Sequence, residues 1–327
     1  MARVFSGIQP SGDLHIGNYL GALRRFSREH SADESLFCIV DLHALTTPQD
    51  PESLRARTLE AAKLYLASGL DPAAATLFVQ SHVPAHAELA WLMECNASFG
   101  ELSRMTQFKE KSDHRDFVSA ALFTYPALMT ADILLYDTDK VPVGEDQRQH
   151  LELARDVAGR FNSRYGTTFV VPEAVLPRAG ARIMDLQNPS NKMSKSSESP
   201  QGTVGMLDDP SVIEKKFKRA VTDNDGEVRY DPETKPGVSN LLSILAAATG
   251  RSAEAVAGDY TQYGPLKADT AAAVIDVLSP VQKRYADLVG DPAETERILA
   301  AGAEAARAMA EPVLQRARSA LGLLPRA

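Results

Sequence analysis

Cysteine is almost missing from this chain. Its two cysteines, Cys38 in an apolar run and Cys95 in a helix-like one, form no CxxC pair. That excludes a cysteine zinc site and leaves two buried free thiols as the expectation. Long hydrophobic runs are missing too. Nothing approaches the roughly 18 to 20 apolar residues of a membrane span, and the opening MARVFSGIQPSG has no long apolar stretch behind its first basic residue. No membrane association is expected, and the cytoplasm is the expected location. Basic character is lacking overall. A net charge of −8 excludes a protein whose whole surface is a nucleic-acid footprint, so such a partner would need a local basic patch. There is no internal repeat and no low-complexity tail. What is present, 44% apolar and 24% charged residues over 327 positions, fits no disordered class and suffices for one large domain with a smaller one.

Residues 1 to about 175 alternate short apolar runs with amphipathic ones. The runs 3–8, 36–41 (LFCIVD) and 76–80 (TLFVQ) have strand length, whereas 51–69 and 85–99 carry apolar residues at helical spacing. Apolar strands alternating with helices predict a parallel sheet covered on both faces, with ligands at the carboxyl ends of the strands where strand order reverses. Further along, strand-like runs vanish. Helical periodicity covers 209–221, 238–249, 268–286 and 292–321, with a turn-rich break at 222–237. The expected fold is therefore α/β: a Rossmann-like parallel sheet over 1–185, a linker over 186–205 and an all-helical domain over 206–290. A last helix over 291–327 has an apolar stripe (Leu299, Ala303, Ala306, Met309, Val313, Ala320) expected to pack back on the sheet domain.

Two short motifs stand far apart. PSGDLHIGN (10–18) sets small residues and an imidazole between the apolar strand 3–8 and a predicted helix, 19–26. Gly7, Gly12 and Gly17 allow close backbone approach, and a helix N-terminus offers unpaired N–H groups to an anion, a combination suited to phosphate. KMSKS (192–196) puts two ammonium groups on a loop rich in Ser, Asn and Pro. That suits a mobile clamp for charge building on a departing pyrophosphate. Either motif alone reads as readily as an ordinary turn or a solvated loop; in this order, around alternating strands and helices, each supports the other. The densest basic cluster elsewhere is EKKFKR (214–219). Its Lys215, Lys216, Lys218 and Arg219 are either a nucleic-acid contact or a solvated helix face.

The motif pair resembles the class I aminoacyl-tRNA synthetases. The stretches FSGIQPSG, GNYLGAL, LSRMTQFKEK, MTADILLY, VPVGEDQRQH, GARIM and NKMSKS, followed by KKFKRAVTD and KPGVSNLL, are similar to the bacterial tryptophanyl-tRNA synthetases along essentially the whole chain. VPVGEDQ and MTQFKEK are not shared by the wider superfamily. The resemblance implies nucleotide binding by the sheet domain and charging of tRNA(Trp) with L-tryptophan at the expense of ATP. It also implies Mg2+ carried on the phosphates, anticodon binding by the helical domain, and a homodimer. For the dimer, Leu89, Leu92 and Met93 offer an apolar helix face that one catalytic domain would leave uncovered.

Tyr125, Met129 and Asp132 stand at i, i+4 and i+7 of a predicted helix and share a face; Val141 and Val143 share one face of the next strand. An apolar pocket with one carboxylate suits a flat aromatic ligand presenting a single N–H. By resemblance Asp132 accepts the indole N–H, Phe5, Val40, Met129, Val141 and Val143 line the ring slot, and Tyr125 and Gln147 meet the substrate ammonium. Without the resemblance, the apolar members read as plain core and Asp132 as an N-terminal or surface helix position. ATP falls, again by resemblance, to Gln9, Pro10, Ser11, Gly17, Asn18, Gly144, Glu145, Asp146 and Ile183, and to Lys192, Met193, Ser194, Lys195 and Ser196 of the loop. The 144–146 segment lies at a strand end running into a predicted helix, 147–160, where backbone and carboxylate can meet a ribose, and Ile183 can cover an adenine face. Lys111 resembles a further pyrophosphate contact, or is a salt-bridged surface lysine.

The implied chemistry needs no protein nucleophile, so catalysis is positioning plus charge stabilisation. Lys192 and Lys195 would neutralise the leaving group, Ser194 and Ser196 would add hydroxyl donors, and His15 and Asn18 would bond phosphate oxygens. The superfamily pattern has a second histidine where this chain has Asn18, so a double-imidazole mechanism does not carry over. No dedicated carboxylate pair for a metal is visible, which puts magnesium on the phosphates. Three rivals share parts of the pattern. VPVGEDQ weighs against a tyrosyl-tRNA synthetase, the helical extension and intact KMSKS against a small-molecule adenylyltransferase, and the unbroken phosphate residues against a paralogue that only binds. No insertion large enough for a hydrolytic editing domain parts the sheet.

Overall fold

The computed structural model describes residues 2–10, 14–24, 34–112, 118–144, 147–175, 182–194 and 200–325. Five strands, β1 (Arg3–Ile8), β2 (Glu34–Ile39), β3 (Ala75–Val79), β4 (Lys140–Pro142) and β5 (Glu173–Val175), pair in parallel in the order β3-β2-β1-β4-β5. The chain steps from β1 through β2 to β3, then returns to the other side of β1 with β4. Strand order thus reverses between β1 and β4, and the carboxyl ends of these neighbours flank the crevice where such sheets bind ligands.

Alternate residues of the strands part into two apolar clusters, as a two-residue period requires. Phe37, Ile39, Leu77 and Val79 join one; Leu36, Cys38 and Phe78 join the other. The longer helices are α1 (Pro51–Ala67), α2 (Ala85–Glu94), α3 (Ala120–Leu134), α4 (Arg148–Tyr165), α5 (Pro210–Lys218), α6 (Pro236–Thr249), α7 (Tyr263–Gly290) and α8 (Pro292–Ala320). Buried residues of α2, α3 and α4 fill the Leu36 side; those of α5, α6 and α7 fill the Phe37 side, where α7 lies against α1. α8 crosses back to the Leu36 side and packs on β3. A Cβ at its Gly302 would stand 1.9 Å from the Leu77 carbonyl oxygen, so only glycine admits this approach. Among the described residues no helix is long and apolar enough to cross a membrane.

Four expectations need correction. The predicted helix 19–26 begins earlier, at Ile16–Asn18, and widens into a π-helical turn over Tyr19–Leu23. The predicted helix 85–99 is two pieces, because Ser98 and Glu101 form a capping box that starts a new helix, Phe99–Ser103, inside the periodic stretch. That break leaves Cys95 exposed at the end of α2, while Cys38 is buried as expected. Leu89, Leu92 and Met93 are no open face either. All three are buried where α2 packs on α3, and the apolar side chains this region exposes are Trp91 (65%) and Phe99 (77%).

Candidate active site

β1 runs out into Gln9 and Pro10, at the reversal of strand order, and the chain then enters the short helix Ile16–Asn18. His15 caps it. The His15 imidazole Nδ1 accepts the Gly17 N–H at 3.1 Å, and Asn18 Oδ1 accepts the His15 N–H at 3.1 Å. Gly17 makes this possible, since a Cβ there would lie 2.9 Å from the imidazole. His15, Gly17 and Asn18 therefore shape one another's backbone. Residues 14–16 also pair antiparallel with 204–206: Ile16 N–H donates to the Val204 carbonyl and Met206 N–H to the Leu14 carbonyl, each at 2.9 Å, with His15 opposite Gly205. The segment following KMSKS is stitched to the first motif.

The KMSKS loop springs from a second antiparallel pairing. Met184 faces Lys192, Met193 N–H donates to the Ile183 carbonyl at 3.0 Å, and Asp185 N–H donates to the Asn191 carbonyl at 2.9 Å. Ile183 and Met193 are buried in the Phe37-side cluster with Ile8 and Ile16; Lys192 is exposed; and Ser194 contributes its carbonyl to the Thr203 hydroxyl at 2.8 Å. The helical domain grips both sides of this base. Asn240 of α6 accepts the Met184 N–H and donates to the Met184 carbonyl, both at 2.9 Å. Gln282 of α7 donates to the carbonyls of Met206 and Asp208, again at 2.9 Å. Lys216 of α5 donates to the Thr203 carbonyl at 2.8 Å and to Asp208 at 2.6 Å. These bonds correct the reading of the basic cluster: the phase of α5 turns Lys216 inward as a staple and leaves Lys215, Lys218 and Arg219 exposed. Ser11, Glu145, Asp146, Lys195 and Ser196 lie outside the described residues, as does the side chain of Lys111 on the helix Thr106–Ser112.

Across the sheet, Phe5, Val40, Val141 and Val143 are buried in the Leu36-side cluster and the half-buried Met129 packs on it. Asp132, 1% exposed, is no surface position. Its Oδ1 accepts Gln80 Nε2 at 2.6 Å and His86 Nδ1 at 2.7 Å, and its Oδ2 accepts His43 Nε2 at 2.7 Å. Burial pushes the carboxyl upward, but the hydrogen bonds from His43 and His86 outweigh it and hold Asp132 well below the usual carboxylate range. Sequence reasoning missed these three donors. For two of them the signal was position: Gln80 ends the run that became β3 and His43 stands four residues past β2, at the carboxyl edge of the sheet.

Tyr125, on the same face of α3 as Met129 and Asp132, has its ring edge-on to His43 at 6.2 Å between centroids. Its hydroxyl lies 2.6 Å from His150 Nε2 and 3.4 Å from Gln107 Oε1, and burial pushes it up to about 12, so it keeps its proton. Gln147 occupies the N-cap of α4, its N–H bonded to the carbonyl of the exposed Gly144 at 3.0 Å. His150, one turn on, is a further residue that sequence reasoning missed. Among the described residues no group of three His, Cys, Asp or Glu side chains is placed to hold a metal ion.

The family described as tRNA synthetases class I (W and Y) matches residues 1–279. The tryptophan–tRNA ligase of Caldanaerobacter subterraneus subsp. tengcongensis is 56% identical over 328 residues, spanning 100% of both chains. Among solved structures, tryptophanyl-tRNA synthetase from Mycoplasma pneumoniae matches with a TM-score of 0.90 at 35% identity, over 99% of this chain and 98% of that one. The Campylobacter jejuni enzyme, complexed with ADP and tryptophan, matches with a TM-score of 0.86 at 34% identity, over 98% and 100%.

Proposed function

This chain belongs to the class I tRNA synthetases of the tryptophan and tyrosine type, and we propose that it activates L-tryptophan with ATP and transfers it to tRNA(Trp). One observation carries the reading. The backbone pairing of 14–16 with 204–206 draws the segment that follows KMSKS onto the first motif at the reversal of strand order, in a fold whose other apolar cluster buries the Asp132 carboxylate among His43, Gln80 and His86. ATP lies along Gln9, Pro10, Ser11, Gly17, Asn18, Gly144, Glu145, Asp146 and Ile183, and magnesium travels on its phosphates. The indole ring lies among Phe5, Val40, Met129, Val141 and Val143, its N–H on Asp132, with Tyr125 and Gln147 at the ammonium.

The tryptophan carboxylate attacks the α-phosphorus of ATP in line, forming the adenylate anhydride as the bond to pyrophosphate breaks. The terminal ribose hydroxyl of tRNA then attacks the acyl carbon and AMP leaves. His15, Asn18, Lys111, Lys192 and Lys195 hold phosphate oxygens, and the lysines match the charge gained by the leaving group. Residues 1–185 form the catalytic domain, 186–205 the KMSKS segment, 206–290 the anticodon-binding domain, and 291–327 the helix returning to the sheet. Lys215, Lys218 and Arg219 meet the RNA. The enzyme works in the cytoplasm as a homodimer, an assignment supported by the exposed Trp91 and by Phe99, which continues into a ring cluster with Phe123 and Phe108 at 5.1 Å between centroids. ATP–pyrophosphate exchange driven by tryptophan, with tRNA(Trp) charging, is the expected result; exchange driven equally well by tyrosine, or none with either, refutes it.

A further inference from the structure

Behind Asp132 the structure has polar side chains that the reaction above does not use. His86, at the start of α2, is wholly buried with both ring nitrogens bonded: Nδ1 to Asp132 Oδ1 and Nε2 to the Tyr136 hydroxyl, each at 2.7 Å. Tyr136 is also wholly buried, just past α3, stacked on Phe5 with centroids 5.7 Å apart and edge-on to Phe78 at 5.6 Å. Polar groups inside an apolar cluster are tolerated only when each is satisfied, and these are.

Proton positions follow from the partners. An ionised carboxylate only accepts, so the His86 proton facing Asp132 sits on Nδ1. Nε2 is then an acceptor and takes the hydrogen of the Tyr136 hydroxyl, which burial keeps protonated. Donation runs from Tyr136 to His86 to Asp132. A carboxylate has about four lone-pair directions. Gln80 and His86 take the two on Oδ1 and His43 takes one on Oδ2, which leaves one acceptor direction, on Oδ2, among the described residues.

We infer that His86, its tautomer set by Tyr136, is a positioning residue for tryptophan selection: with Gln80 it saturates Oδ1, fixes the plane of the Asp132 carboxylate and reserves Oδ2 for a ring N–H. The inference rests on the proposed indole contact of Asp132. With His86 gone, Oδ1 regains an open lone pair, the carboxylate can turn about its bond to Cβ, and the reserved direction is no longer aimed at the ring. A ligand whose ring has no N–H never used that direction and is indifferent to the loss.

The test is ATP–pyrophosphate exchange with tryptophan and with its sulfur analogue benzothienylalanine, for the parent enzyme, His86→Leu, His86→Asn and Asp132→Asn. His86→Leu lowers kcat/KM for tryptophan by about tenfold or more and that for the analogue by no more than about twofold, with the KM for ATP unchanged. His86→Asn, whose amide donor stands close to the place of Nδ1, restores most of the preference for the N–H ligand. Equal losses for both ligands, or an asparagine variant no better than leucine, overturn the inference and leave His86 a residue of the fold. Asp132→Asn separates the two layers. If it leaves the preference for tryptophan intact, the indole contact is wrong; if it abolishes the preference while His86→Leu does not reduce it, His86 alone is misassigned. Should His86→Leu not fold, Tyr136→Phe removes the hydrogen that sets the tautomer and reduces the preference by about threefold, whereas an unchanged preference overturns the role.

Discussion

Asn240 is the cleanest point at which to separate the helical region from the KMSKS segment. It is 4% exposed on α6, and its amide holds both backbone groups of Met184, the residue opposite Lys192 at the base of the KMSKS segment. Each such bond contributes about 0.5 to 1.5 kcal/mol net, so Asn240→Ala removes about 1 to 3 kcal/mol. For a chain of this size that lowers Tm by roughly 1.5 to 4.5 °C. The larger effect is kinetic. Ile183 and Met193 are bonded to each other close to the clamp, so a loosened base spreads the loop lysines over many positions. Misplacement by about 1 Å costs up to about a hundredfold in rate, and we expect at least a tenfold slower single turnover to tryptophanyl-adenylate at saturating ATP. The residues proposed to hold tryptophan lie in the other apolar cluster, and the KM for tryptophan should not move. Asn240→Asp is the control with retained shape: it still accepts the Met184 N–H but sets a carboxylate against the Met184 carbonyl, and should be as slow. A stable Asn240→Ala enzyme with the parent single-turnover rate would falsify the idea that α6 positions the loop.

Lys195→Ala should cut the rate of adenylate formation strongly with a modest change in ATP affinity, because its charge is needed when the leaving oxygen develops its own; rapid-quench single turnovers against ATP titrations separate the two. Sedimentation at micromolar concentration should give twice the chain mass, with Phe99→Asp giving monomers and shifting the emission of Trp91, the only tryptophan, to longer wavelength; a monomeric, fully active parent protein would sink the dimer. Neutralising Lys215 and Lys218 together should weaken tRNA binding, flatten its salt slope by about 0.7 to 0.9 for each phosphate charge no longer neutralised, and spare pyrophosphate exchange. Glu101 is raised by burial, but Arg160 and Ser98 bring it down to about 2. Its folded pKa is below its unfolded one, so its stabilisation is present at neutral pH and is lost as pH falls through the ordinary carboxylate range towards 2. Glu101→Gln should therefore lower Tm at pH 7 and make progressively less difference as pH falls towards 2.

β2 and β3 were legible because they are covered on both faces and so read as unbroken apolar runs, whereas β5, three residues long and largely exposed, carries no such run; the helices beyond it announce themselves by period. The two motifs stand out because the phosphate chemistry proposed for them restricts such segments to a few residue types. Lys216 was not, since a lysine on a basic helix looks alike whether it faces water or Asp208, and only the phase of α5 against the 203–208 segment decides. Leu89, Leu92 and Met93 were misjudged for the same reason: an apolar stripe says that something covers it, not what, and α3 does. His43, Gln80 and His86 escaped because each is an ordinary polar residue near the end of a separate element, and Asp132 gathers them only in three dimensions.

The pairing of 14–16 with 204–206 also has a consequence for the order in which the molecule is made. Nearly the whole sheet domain lies between the two paired segments in the chain, and the first of them, although synthesised well before the second, cannot find its hydrogen-bond partners until the second has emerged. Closing so long a loop is entropically unfavourable and is repaid only once the intervening strands have docked. β1 and β2 can pair early, but the turn at His15 stays without its partner segment until residue 206 is synthesised. A nascent chain halted before that point would carry β1, β4 and the complete HIGN sequence, yet lack the segment that pairs with residues 14–16.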